Sequence, residues 1–329
     1  MPLPFHLPPP GEMRRMDPAR DLNAVANLME DAFELKQDPE GHIIIENMRQ
    51  HARLLARTDS GFLDRMIARA SWADGYVWED EGQIVGNITL IPHMDGLKRV
   101  IMIANVSVRE DYRQLGIARK LTQDGLQHCH KAGIREIYLQ VKHANQAAIK
   151  LYHSMGFETL HSVSLWRLRP SAELLRFEEN VLGYKISPRK LSDWQKQKAW
   201  LAQAYPKRTR WYARLSFCAL SPATWLNPFS WSQAMELTHF ALRQKGELKG
   251  LLTWQSRLDQ VDHLVLALPP NLEKEDENQR AQVLLSDFVN RYWRQNKVNL
   301  EFPMGRATQG IQDAGFVLAH DLDWMALKL

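Results

Sequence analysis

The chain of 329 residues has little cysteine, no long apolar run and almost no surplus of charge. Its two cysteines, Cys129 and Cys218, stand far apart, so no disulfide framework is implied. Cys129 lies between His128 and His130 in a helical stretch. Adjacent helix positions point in different directions, so this reads as a free structural thiol and not as a metal site. No apolar segment reaches the roughly 18 residues that a membrane helix needs. The start, 1–11, is rich in proline and lacks the basic and apolar regions of a secretion signal, which makes it a flexible N-terminal segment of a cytoplasmic protein. Lysine and arginine number 42 against 38 aspartates and glutamates, a formal charge of +4. That excess does not predict nucleic-acid binding, although a mild basic patch would suit an anionic ligand. The mixed segment Tyr205–Tyr212 alone is thin evidence for RNA. At 45% hydrophobic residues the composition is globular, and the length suits two domains.

What the chain does have is an ordered set of signals between Ile101 and Phe157. Ile101–Val108 is an apolar, β-prone run. A polar turn, Arg109–Gln114, leads to Leu115-Gly116-Ile117-Ala118 and then to a helical pattern closed by Gly133. Strand, glycine turn and helix start in that order present backbone N–H groups to an anion. A second strand, Glu136–Val141, precedes a helix over Asn145–Tyr152, closed by Gly156 before Phe157. Upstream, Tyr76–Glu79 and Ile84–Ile91 flank Asp80-Glu81-Gly82-Gln83 and predict a hairpin. Asp17-Pro18 opens a helix with one apolar side, and Gly61–Ile67 reads as a short helix.

The Arg113-Gln114-Leu115-Gly116-Ile117-Ala118 segment, with Asn145, Tyr152, Gly156 and Phe157 downstream, resembles the GNAT superfamily of acyl-CoA-dependent N-acyltransferases. The resemblance covers about Glu12 to Arg169. It implies an α/β (α+β in some schemes) domain with a mixed central sheet flanked by helices. It implies acetyl-CoA as acyl donor, with no metal. The cofactor would be held by Val106 and Val108 on the central strand, by Arg113, Gln114, Leu115, Gly116, Ile117, Ala118 and Arg119 around the diphosphate, and by Asn145. Tyr152 would be the general acid toward the leaving thiolate. The base stays open among Glu110, Asp111, Glu46 and Glu79, with Asn105 able to position a water or the acceptor.

The second half repeats the order of the first: Tyr184–Pro188, the helical pattern of Leu191–Ala202, a hairpin over Glu236–Gln255, the strand Asp262–Leu268, a helix over Gln279–Trp293, and Val298–Phe302. It departs at the cradle, where Pro269-Pro270 and the acidic Glu273–Glu277 stand in place of the glycine motif. Proline removes backbone donors, and the carboxylates repel a diphosphate. The expected organisation is a catalytic GNAT domain at 12–170, a connection at 171–183 with a helix over Glu173–Val181, and a degenerate GNAT-like domain at 184–329. Trp200, Trp211, Tyr212, Trp225, Phe229 and Trp231 read as core and domain-interface residues. The expected activity is direct acetyl transfer to the amine of a small molecule, peptide or protein. The alternatives are another short acyl-CoA, or a non-catalytic CoA-sensing or interaction module. The protein would be a monomer with an internal pseudo-dimer, or a homodimer.

Overall fold

The computed structural model describes residues 9–33, 39–56, 75–169, 183–212, 220–222, 235–257, 261–293 and 297–329. The helices expected at Gly61–Ile67 and Glu173–Val181, and the aromatics Trp225, Phe229 and Trp231, lie outside the described residues. Contacts divide the chain into two units. The first takes Met1–Gln140, Ala147–Glu158 and Met325–Leu329; the second takes Val141–Gln146 and Thr159–Trp324.

In the first unit β1 (Glu12–Arg15), β2 (Gly75–Asp80), β3 (Gln83–Asp95), β4 (Lys98–Val108) and β5 (Glu136–Lys142) neighbour one another in that order. The β2–β3 hairpin turns at Glu81 and Gly82, both with positive φ, as its Asp-Glu-Gly-Gln sequence predicts. β3 and β4 run antiparallel, whereas β4 and β5 are parallel. Leu329 at the chain end donates its N–H to Arg135 O, next to β5.

α1 (Pro18–Ala32) starts at Asp17, whose side chain accepts from Ala19 N, with Pro18 in the first turn. It buries Leu22, Val25, Ala26 and Met29 against Met16, Val77 and α2 (Pro39–Ala56). Leu22, Val25 and Met29 each contribute about 2 kcal/mol. The isoleucine-rich start of α2, ambiguous as sequence, is helical because Ile45 and Met48 share its buried side.

α3 (Ile117–Lys131) covers the opposite sheet face. It buries Ile117, Leu121, Thr122, Gly125 and Cys129. A Cβ on Gly86 of β3 would come within 3.0 Å of Ile117 and 3.2 Å of Leu121, so that glycine lets α3 lie close to the sheet. α4 (Gln146–His153) buries Ile149 and Tyr152.

In the second unit the order is Phe316–Trp324 of β12 (Phe316–Lys328), then β6 (Glu158–Leu168), β11 (Val298–Pro303), β10 (Asp262–Ala267), β9 (Glu247–Arg257), β8 (Met235–Gln244) and β7 (Tyr184–Pro188). β10 and β11 are parallel, and β7–β8 and β8–β9 antiparallel, the same alternation as in the first unit. Its helices are α5 (Asp193–Ala204), α6 (Lys274–Arg291) and α7 (Thr308–Asp313). α6 buries Ala281, Leu284, Leu285 and Phe288 in a core with Leu252, Leu266, Leu300 and Phe302.

α6 begins at Lys274 and not at Gln279 as expected. Glu275, Asp276 and Glu277 lie in its first turn, where the positive end of the helix dipole favours carboxylates. Glu277 is buried and accepts from the Arg306 guanidinium and, at 3.2 Å, from Ala307 N. Trp211 and Tyr212 stand edge-on to buried Trp324.

Candidate active site

The candidate site grows from the end of β4. The parallel ladder covers only Ile101–Ile103 against Ile137–Leu139, and β4 then runs on to Val108. Asn105 adopts φ 55°, and the β3–β4 register slips there, from Asn87↔Ser107 to Thr89↔Ala104. This bulge re-aims the strand where its pairing with β5 stops. The half-buried Val106 and the buried Val108 follow it, past the ladder. Ser107 donates to buried Asn87 and fixes the far side of the bulge.

The loop after β4 is held rigidly. Arg109 N donates to Val85 O, and the guanidinium of Arg109 chelates Asp111 and lies 4.5 Å over the Tyr112 ring. Tyr112 Oη donates to Asp80 at 2.6 Å, which raises the phenol's pKa, while Arg109 holds the Asp111 carboxyl below its usual value. The 3-10 turn Glu110–Tyr112 ends in Arg113, whose Nε donates to Val108 O.

Gln114 (φ 65°) and Gly116 (φ 83°) are both left-handed, and Gly116 caps α3. Alternating left-handed residues at a helix start form an anion-binding nest of N–H groups. Among the described residues, none of the N–H groups from Gln114 to Ala118 donates within the protein. Gly116 has open space around its missing Cβ, so its need for glycine is conformational. Leu115 is exposed and Ile117 buried, so Ile117 anchors the nest to the core.

Tyr152 sits on α4, 6% exposed, edge-on to Phe157 at 5.7 Å. Desolvation pushes its phenol up to about 12. Among the described residues its hydroxyl has no hydrogen-bond partner in the protein. Arg119, in the first turn of α3, donates to Ser154 Oγ at 3.0 Å, directly after α4. This bond places the cradle helix beside the Tyr152 helix.

The first unit therefore contains Val106, Val108, Arg113–Arg119 and Tyr152. Asn145 is exposed in the turn before α4, and its N–H donates to Lys142 O; contacts group that turn with the second unit. Two expected diphosphate arms are already engaged: Arg119 by Ser154, and Arg113 Nε by a backbone carbonyl. Of the candidate bases, Glu79 is clamped by Arg14 and Arg20, which holds its carboxyl low and makes it a poor proton acceptor. Glu46 pairs with Arg53, and Asp111 with Arg109. Glu110 is exposed with no ion pair or hydrogen bond from its carboxylate among the described residues. Neither the Asn105 bulge nor the left-handed Gln114 was read from the sequence. An asparagine inside an apolar strand was the available signal, since asparagine tolerates positive φ.

The nest beside a strand end released from β5 coincides with a recognisable family signature. Residues 27–157 match the model of the Acetyltransferase (GNAT) family. The chain carries a GNAT domain. Its relatives include rat N-acetyltransferase family 8 member 3, 28% identical over 33% of this chain and 49% of that protein. They also include a mycothiol acetyltransferase from Thermobispora bispora, 30% identical over 47% of this chain and 50% of that protein. The chain thus spans about half the length of these curated relatives. A solved GCN5-related N-acetyltransferase from Sphaerobacter thermophilus shares the fold across both units. Its TM-score is 0.55 at 12% identity, covering 99% of this chain and 97% of that one.

Proposed function

We propose that the protein is an acetyl-CoA-dependent N-acetyltransferase whose chemistry resides in the GNAT domain. The observation that carries this reading is the nest of uncommitted N–H groups from Gln114 to Ala118, next to a strand whose pairing with β5 has ended. The diphosphate of acetyl-CoA is a dianion of a size that several N–H donors at a helix start can hold. The freed edge of Asn105–Val108 offers main-chain groups to the pantetheine arm, and an N–H at Val106 or Val108 polarises the thioester carbonyl as charge develops.

The transfer itself is direct. A neutral amine attacks the acetyl carbonyl, the C–N bond forms, and the C–S bond breaks to release coenzyme A thiolate, whose sulfur finally takes the proton that the nitrogen loses. Tyr152 faces this thiolate as hydrogen-bond donor. With its pKa near 12, well above that of an ordinary thiol, it stabilises the thiolate by sharing its proton more than by surrendering it.

The deciding experiment is isothermal titration of the full chain with acetyl-CoA, followed by thiol release with a panel of amines. Micromolar binding with acetyl-CoA-dependent thiol release supports the reading. Absence of acetyl-CoA binding by folded protein overturns it, and binding without turnover on any amine transfers the protein to a sensing role.

A further inference from the structure

Gln140 is the first residue of β5 beyond its ladder with β4, which ends at Ile103↔Leu139. Its side-chain Nε2 is buried and, among the described residues, has no hydrogen-bond partner. A buried donor left without an acceptor is unfavourable, and an apolar side chain of similar shape would fill the position without that cost. The amide sits at the mouth of the opening between β4 and β5, in the same unit as Asn105–Val108 and Tyr152.

The strand registers fix the face on which it lies. Leu90 pairs with Ile103 and Ile103 with Leu139, so these three share one face of the sheet. That face is the α3 side, because a Cβ on Gly125 of α3 would lie 3.5 Å from Leu90. Side chains alternate along a strand, so Gln140 lies on the other face, the α1 side. Level with it on β4 is the half-buried Ala104, whose methyl group leaves room beside the amide.

The carbonyl under attack sets the direction of approach. A thioester carbonyl that accepts from a β4 N–H lies close to the plane of the sheet, as a paired strand's own carbonyl does. A nucleophile adds to a carbonyl from above or below its plane. The α3 side is closed by the buried Ile103, Ile117 and Leu139. The amine therefore arrives from the α1 side, where Gln140 lies. Val106 is two positions beyond Ala104, about 7 Å along the strand. A glutamine side chain and one hydrogen bond of about 3 Å cover that span.

A primary amide presents an acceptor and a donor side by side. Its complement is a donor and an acceptor at the same spacing. The attacking amine supplies an N–H for Oε1. Nε2 then calls for an oxygen on the carbon next to the one that bears the nitrogen. We infer that Gln140 binds the acceptor and that the acceptor is a vicinal amino-oxygen compound, an amine with a hydroxyl or carbonyl oxygen on the adjacent carbon. This rests on the N-acetyltransferase reading. A plain alkylamine satisfies only half of the amide. In the transfer the nitrogen lone pair forms the C–N bond, the C–S pair leaves on sulfur, and the proton lost by nitrogen ends on that sulfur. The amide holds an N–H of the amine and takes no proton itself.

The test measures thiol release at saturating acetyl-CoA, with kcat/KM expressed per neutral amine. One pair sets trans-2-aminocyclohexanol against cyclohexylamine, and another sets L-alaninamide against 3-methyl-2-butylamine. The second compound of each pair has a similar shape without the oxygen. In at least one pair the oxygen-bearing amine should be used about tenfold better or more, and the pair that shows it tells a hydroxyl from a carbonyl. Gln140→Leu and Gln140→Met should each cost that amine about tenfold and its oxygen-free partner about threefold or less, with the acetyl-CoA Kd unchanged. Equal use within both pairs overturns the inference, and so does an equal loss for both partners in the variants. Titration with acetyl-CoA separates the two levels. Intact binding and turnover without a preference for the oxygen sink the role of Gln140 alone, whereas no binding by the unaltered chain sinks the parent reading. Binding with no amine turned over removes both.

Discussion

Removing one oxygen from Tyr152 isolates its role. Tyr152→Phe keeps the ring against Phe157 and removes the only donor that the side chain offers. The expected result is a fall in kcat of about 10²–10⁴ with little change in acetyl-CoA Kd, read by thiol release and titration. Histidine provides a second residue-level expectation. Burial holds His161, stacked on Trp324, and His239, bonded to Thr253, neutral down to about pH 4. Both folded-state values lie below the ordinary 6.5, so the unfolded chain takes up protons first as pH falls. Stability from these groups is intact above pH 6.5, declines below it, and is fully lost below about 4, by up to about 3 kcal/mol each. Thermal melts at stepwise lower pH should therefore drop steeply through this window, and His161→Phe should flatten the slope.

Among elements, the two helix starts behave differently. Gly116 needs its left-handed φ but has room for a methyl group, so Gly116→Ala should cost about 1 kcal/mol in stability. Its sharper effect should be weaker acetyl-CoA binding, about tenfold by titration, because the nest loses its shape. Gly310 of α7 has no such room: a Cβ there would lie 1.9 Å from Asn278 O of α6. Gly310→Ala must push the two helices apart and should destabilise the second unit by about 1–3 kcal/mol in denaturant unfolding. Legibility in the sequence follows the same physics. Hairpins were readable because the turn residues sit between alternating apolar runs, as at Asp80–Gln83. The turn into α3 was readable because Gly116 reports a backbone requirement directly. The Asn105 bulge was not, because its cause is the pairing with β3 and β5, which no local pattern encodes. The early start of α6 was missed because like charges resemble a solvated loop until the helix dipole and Arg306 are placed beside them. Nor could spacing show that Arg119 would bond Ser154, a contact across 35 positions.

At the scale of the whole molecule, the order of strands repeats, and among the described residues a second left-handed pair, Gly305 and Ala307, stands at the start of α7. In the second unit a buried carboxylate, Glu277, takes the N–H of Ala307 and the charge of Arg306. One more feature concerns how the sequence is shared between the units. Met325–Leu329 belong by contact to the first unit, with Leu327 touching the Gly156 turn and Leu329 bonded to Arg135. A stop after Trp324 should therefore weaken acetyl-CoA binding although every cradle residue remains, which titration of the shortened chain would show. During synthesis the ribosome delivers those five residues only after the whole of 159–324. The half made first must wait, incomplete and in need of protection from aggregation, until that later stretch has been made.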